Sequence, residues 1–128
     1  MALHPQIARL LRQAVDDADV LAVILYGSAA RGEASATSDV DICLVLVPER
    51  HSAAHMSAKR LAYLAEVDLD VQVFQQLPLY IRQRVLKEGR VLLVRDEDRL
   101  YDTAFRTVQA FEDVRPRYQA YLNEVARA

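Results

Sequence analysis

Asp39 and Asp41 stand two residues apart at the mouth of an apolar run, within the stretch "LYGSAARGEASATSDVDICLVLV" (residues 25–47). Side chains two apart on a strand share a face, with Cα atoms ~7 Å apart, so this pair can bracket one hard cation. A third acid at the same level of a neighbouring strand, ~5 Å to the side, would complete a site for Mg²⁺, which takes carboxylate oxygens, waters and substrate phosphate. Asp70 is the first candidate for that acid and Asp68 the second. Three like charges gathered at strand ends repel, so the arrangement makes physical sense mainly when a divalent ion neutralises them. Taken alone, "SDVD" reads more simply as a turn before a solvent-exposed strand start. The other end of the loop changes that balance. Gly27-Ser28 follows an apolar run, and a turn there presents free backbone N–H groups to an anion. Gly27 allows phosphate to approach the backbone closely, while the Ser28 hydroxyl and the Arg31 guanidinium supply further donors.

The elements that must position these groups follow from periodicity. Ile7, Leu10, Leu11, Ala14, Val15 and Ala18 keep helical spacing behind Pro5, which predicts an amphipathic helix over 5–18. The run "VLAVILY" (20–26) predicts a strand buried on both faces, and "VDICLVLV" (40–47) a second, ended by Pro48. A helix is expected over 52–66, capped by Ser52, with Met56, Leu61, Leu64 and Ala65 inward. "VDLDVQVF" (67–74) alternates as a third strand, with Asp68, Asp70 and Gln72 on its polar face. Pro78 then opens a helix closed by Gly89 at its C-terminal end, and "RVLLV" (90–94) makes a fourth strand. Asp96 is placed to cap a final helix carrying Leu100, Ala104, Val108 and Phe111, which Pro116 is expected to break or kink. The fold class is α+β, a mixed sheet of about four strands flanked by helices. Residues 1–128 form one domain in this reading, with 96–128 a C-terminal helical segment.

Composition narrows the functional classes. The 128 residues are 52% apolar and 27% charged, an ordinary balance for one globular domain. A formal net charge of −2 offers no broad basic field, so direct nucleic-acid binding is not expected. Cys43 is the single cysteine and lies in an apolar run, which fits a packing residue in a reducing compartment. No apolar stretch approaches the ~20 residues of a membrane span, so a cytoplasmic location is expected.

The combined pattern resembles the DNA polymerase β-like nucleotidyltransferase superfamily, with its Gly-Ser, paired acids and a third acid on a later strand. Here the matching residues are Gly27, Ser28, Asp39, Asp41 and Asp70. The longer form "GSAARGEASATSDVD" is similar to the minimal nucleotidyltransferases, in which Gly-Ser-x-Ala-Arg-Gly and Ser-Asp-x-Asp, with Ser38 at the Ser, are characteristic. "LPLYIRQRVLKEGRVLL" resembles their later region, and the spacing to Leu77-Pro78 favours Asp70 over Asp68. The resemblance covers roughly residues 20–95. It implies transfer of a nucleoside monophosphate with release of pyrophosphate, assisted by two Mg²⁺ ions. Asp39 and Asp41 would hold both ions about the nucleotide triphosphate, ATP, and Asp70 the one that activates the acceptor hydroxyl. Gly27 and Ser28 would hold the β- and γ-phosphates, with Arg31 and Ser38 also on the nucleotide. It further implies a partner, since minimal nucleotidyltransferases commonly pair with HEPN-family ribonuclease toxins and adenylylate a tyrosine near their active site. On that reading the chain is an antitoxin. The alternatives are a non-catalytic antitoxin that masks its partner, and a small-molecule nucleotidyltransferase of the antibiotic-modifying kind.

Other features have plainer readings. His51 and His55 have metal-ligand spacing, but no third ligand accompanies them in sequence, and an exposed helix face is the simpler account. Arg82, Arg84, Lys87 and Arg90 read as a solvated face that could meet a nucleotide or an acidic partner. Tyr101, Phe105, Tyr118 and Tyr121 read as packing residues, with a partner-facing patch as the alternative.

Overall fold

The continuous apolar runs become the middle of a four-stranded mixed sheet. In the computed structural model, which describes residues 4–27, 40–48 and 51–127, the elements are α1 (Pro5–Val15), β1 (Val20–Tyr26), β2 (Asp41–Leu46) and α2 (Ala53–Leu64). They continue with β3 (Asp70–Val73), a short 3₁₀ turn (Phe74–Gln76), α3 (Leu79–Glu88), β4 (Arg90–Val94) and α4 (Glu97–Arg127). The strand order is β3-β2-β1-β4; β2 and β3 run parallel through the α2 crossover, and β1 is antiparallel to both β2 and β4.

Because β1 and β2 are central, both of their faces are covered, which is why they carry apolar residues at every interior position. One face, with Val23, Leu25, Ile42, Leu44 and Val71, packs under Ile7, Leu10 and Ala14 of α1 and Tyr63 of α2. The opposite face, with Ala22, Ile24, Cys43 and Val45, is closed by Val85 of α3 and by Leu100 of α4. Cys43 is fully buried there, and burial pushes its thiol up, as expected of a packing residue. The β3 edge is occupied by side chains: Arg60 Nε donates to the Val71 carbonyl at 2.8 Å. Gln75 extends the ladder beside β2, its amide bonding both the N–H and the C=O of Leu46 at 3.2 and 2.8 Å.

The sequence-based boundaries hold to the residue for β1 and β4, and the Ser52 cap is made, its Oγ accepting from the His55 N–H at 3.0 Å. Several assignments need correction. Leu61 is 62% exposed and Ala65 also faces solvent, because the buried stripe of α2 is set by Tyr63. The Tyr63 ring is buried while its hydroxyl donates to Asp17 Oδ2 at 2.9 Å. Helix α1 stops at Val15, and both Val15 and Ala18 are exposed; Arg95 reaches back to its last turn and donates to the Ala14 and Val15 carbonyls. Gly89 has an ordinary extended backbone rather than a left-handed one. A side chain there would meet the Val85 carbonyl and the Ile24 methyl, so close approach is its reason. Helix α4 runs unbroken through Pro116, and Val108 is exposed.

Candidate active site

The antiparallel register sets Tyr26 opposite Asp41, and the parallel register sets Asp41 opposite Asp70. These three residues therefore form a row across β1, β2 and β3 at one end of the sheet. They share the face that carries Ile24 and Cys43, beneath α3. Neighbouring strands are ~4.8 Å apart, so the Asp41 and Asp70 carboxylates stand side by side, both half-buried. Asp70 is further tied by its N–H to the Val40 carbonyl at 3.0 Å, and its Oδ1 accepts from Gln72 Nε2 at 3.1 Å. Asp68 takes no part. It precedes the first residue of β3, is exposed, and its N–H donates to Gln6 Oε1 at the start of α1. The strand expected over 67–74 begins only at Asp70, because residues before it have no partner on β2.

Gly27 continues the row. It is the residue with positive φ, at 76°, among those described, and an added Cβ would collide with the Asp41 carboxylate. Glycine is required there on both counts: the left-handed backbone, and the close approach of the Asp41 carboxylate, which leaves no room for a side chain. Tyr26 lies half-buried in the same row. Burial first, then Cys43 and the carboxylates of Asp41 and Asp70, push its hydroxyl up, so it stays protonated. A cavity of about 380 Å³ opens here, lined by Tyr26, Gly27, Asp41, Ile81, Arg84 and Glu88 among others. That size lies within the range of small-molecule sites. Ser28, Arg31, Ser38 and Asp39 lie outside the described residues.

Residues 6–98 match the family described as "Polymerase beta, Nucleotidyltransferase". The chain belongs to this family. A relative from Methanocaldococcus jannaschii, named "Putative protein adenylyltransferase", is 32% identical over 98 residues, 77% of this chain and 75% of that protein. Solved structures share the nucleotidyltransferase fold. One, of a toxin-antitoxin with AMP-PNP, superimposes with a TM-score of 0.69 at 22% identity, covering 94% of this chain and 96% of the other. Another is a tri-AMPylated Shewanella oneidensis HEPN toxin in complex with its MNT antitoxin, with a TM-score of 0.64 at 19% identity, covering 94% and 93% of the two chains.

The donor set fits a hard cation: carboxylate oxygens level on adjacent strands, beside a backbone opening suited to phosphate. The two histidines acquire the third ligand that sequence spacing did not reveal. His51, His55 and Asp19 each offer a ligand atom, all within 4.8 Å of one another. This cluster sits at the opposite end of the sheet from Asp41, before the first residue of the seven-residue β1 and so ~20 Å away. Its positions are already engaged. Lys59 Nζ is 3.0 Å from Asp19 Oδ2, and His51 Nε2 bonds the Val47 carbonyl at 3.1 Å. The Lys59 ammonium, with His55, holds the Asp19 carboxyl below its usual range against a modest burial penalty. Tyr101, Phe105 and Tyr121 of α4 are not packing residues, whereas Tyr118 stacks on Tyr80 of α3 with ring centroids 5.6 Å apart. Tyr101 is 74% exposed, Tyr121 64% and Phe105 51%. Among the described residues no helix is long and apolar enough to cross a membrane.

Proposed function

We propose that this chain is a Mg²⁺-dependent nucleotidyltransferase antitoxin that transfers AMP from ATP to a tyrosine hydroxyl of a partner HEPN-family ribonuclease. The observation that carries the reading is the row of Gly27, Asp41 and Asp70 at one sheet end, in a chain of the polymerase β family. The relative named as an adenylyltransferase, and the like-folded antitoxins solved with AMP-PNP and with an AMPylated toxin, support the substrate and the acceptor.

In this mechanism Asp39, Asp41 and Asp70 would hold the metal, which would supply charge neutralisation at the phosphates and lower the acceptor pKa when bound. Gly27 and Ser28 receive the β- and γ-phosphates, and Arg31 and Ser38 complete the loop around the nucleotide. The acceptor tyrosine oxygen bonds to the α-phosphorus as the bond from that phosphorus to the β-phosphate bridging oxygen breaks. Asp70 takes the phenolic proton, and pyrophosphate leaves. The whole chain acts as one domain in the cytoplasm, where the Cys43 thiol stays reduced, and its helical segment 96–128 faces the partner.

The exposed apolar side chains of α4 favour an acceptor on another chain, and they also support a second reading, in which the protein only masks its partner. Pyrophosphate release separates the two. With ATP, Mg²⁺ and a HEPN-type ribonuclease encoded beside this chain, release is expected to keep pace with loss of ribonuclease activity and to stop when EDTA is added. Inhibition of the ribonuclease without pyrophosphate would leave masking as the function.

A further inference from the structure

Arg84 projects from α3 into the cavity beside Gly27 and Asp41, and it is the one cation among the described residues that line it. Among the described residues, the other charges lining it are negative: Asp41 below, Glu88 one turn along, and the C-terminal end of α3, whose last carbonyls carry partial negative charge. A polyphosphate entering such a place meets repulsion unless a local positive group answers it. Arg84 is held by Glu88, with Nη2 3.6 Å from Oε2, and the two side chains are 58% and 37% exposed. An exposed i,i+4 pair of that length is weak. A guanidinium binds phosphate with two parallel charge-assisted bonds, a stronger interaction than the one it would leave.

We propose that Arg84 is a substrate-binding residue that leaves Glu88 to hold the β- and γ-phosphates of the nucleotide, so that Glu88 acts as a placeholder for the anion. This rests on the nucleotidyltransferase reading of the same cavity and adds to it the group that selects a triphosphate over a monophosphate. The other basic residues of α3 do not compete for the role: Arg82 Nε is spent on the Leu77 carbonyl at 3.0 Å, and Lys87 does not line the cavity.

Calorimetric titration with AMP-PNP and with AMP, each in Mg²⁺, tests the assignment on wild type, Arg84→Ala, Arg84→Lys and Glu88→Gln. Arg84→Ala is expected to weaken AMP-PNP binding by ~10- to 100-fold, the size of a lost charge-assisted contact, and to leave AMP binding within about twofold. Arg84→Lys should recover part of the loss, and Glu88→Gln should tighten AMP-PNP a few-fold. Because Arg84 is mostly exposed, the variants should fold, and thermal unfolding checks this. Equal weakening of both nucleotides, no weakening of either, or weaker AMP-PNP binding by Glu88→Gln would overturn the proposal while leaving the transferase reading intact. A wild type that bound neither nucleotide would overturn both.

Discussion

Asparagine in place of Asp41 is expected to lower nucleotidyl transfer by about a hundred- to a thousandfold while leaving the fold unchanged. Removing one preorganised group that stabilises transition-state charge costs about 10²–10³ in rate, and Asp41 stands at the centre of the row, between Gly27 and Asp70. The substitution keeps the shape of the side chain and removes only its charge, and with it a repulsion against Asp70. Thermal unfolding in metal-free buffer should therefore stay within about 3 °C of wild type or rise. Single-turnover transfer at saturating Mg²⁺, beside a melting curve for each protein, makes the comparison. Undiminished transfer would remove Asp41 from the site.

Asp70→Asn is expected to cost about a hundredfold or more, whereas Asp68→Asn should change the rate by less than about twofold and stability by less than about 0.5 kcal/mol. The two differ by position alone. Asp70 pairs with Asp41 across the parallel ladder, while Asp68 is exposed ahead of the strand, its backbone turned to Gln6. The same transfer assay ranks them. The reverse order would mean that β3 pairs in a different register, since a shift along the strand moves every side chain relative to β2.

How far the sequence could be read depends on whether the cause of each feature is local. Strands β1 and β4 are bounded by changes of composition within a few residues, and Gly27 and Asp41 sit on one continuous stretch, so the strand limits and the nearness of these two residues were legible. Choosing Asp70 over Asp68 needed the later spacing to Leu77-Pro78, and the structure gives the underlying reason in the β2–β3 register. The inward face of α2 was misread because Tyr63 looks amphipathic in sequence. Its burial is matched by Asp17, 46 residues away, accepting a hydrogen bond from its hydroxyl. Arg95 capping α1 from 80 residues away, and Gly89 meeting Ile24, are tertiary contacts of the same kind. The aromatic residues of α4 kept helical spacing, which ordinarily signals a core. Here the helix continues beyond the sheet, and every residue after Phe111 is exposed through Arg127. Arg84 could be assigned to the cavity only once α3 was placed over the acid row.

The intact mass of the partner tests the central claim most directly. After incubation of a HEPN-type ribonuclease with this protein, ATP and Mg²⁺, followed by separation of the two chains, the partner is expected to gain ~329 Da or a multiple, the AMP delivered by metal-assisted displacement. The added group should map to a tyrosine, and the ribonuclease should stay inactive once this protein is gone. A partner of unchanged mass that regains activity on separation would contradict the account.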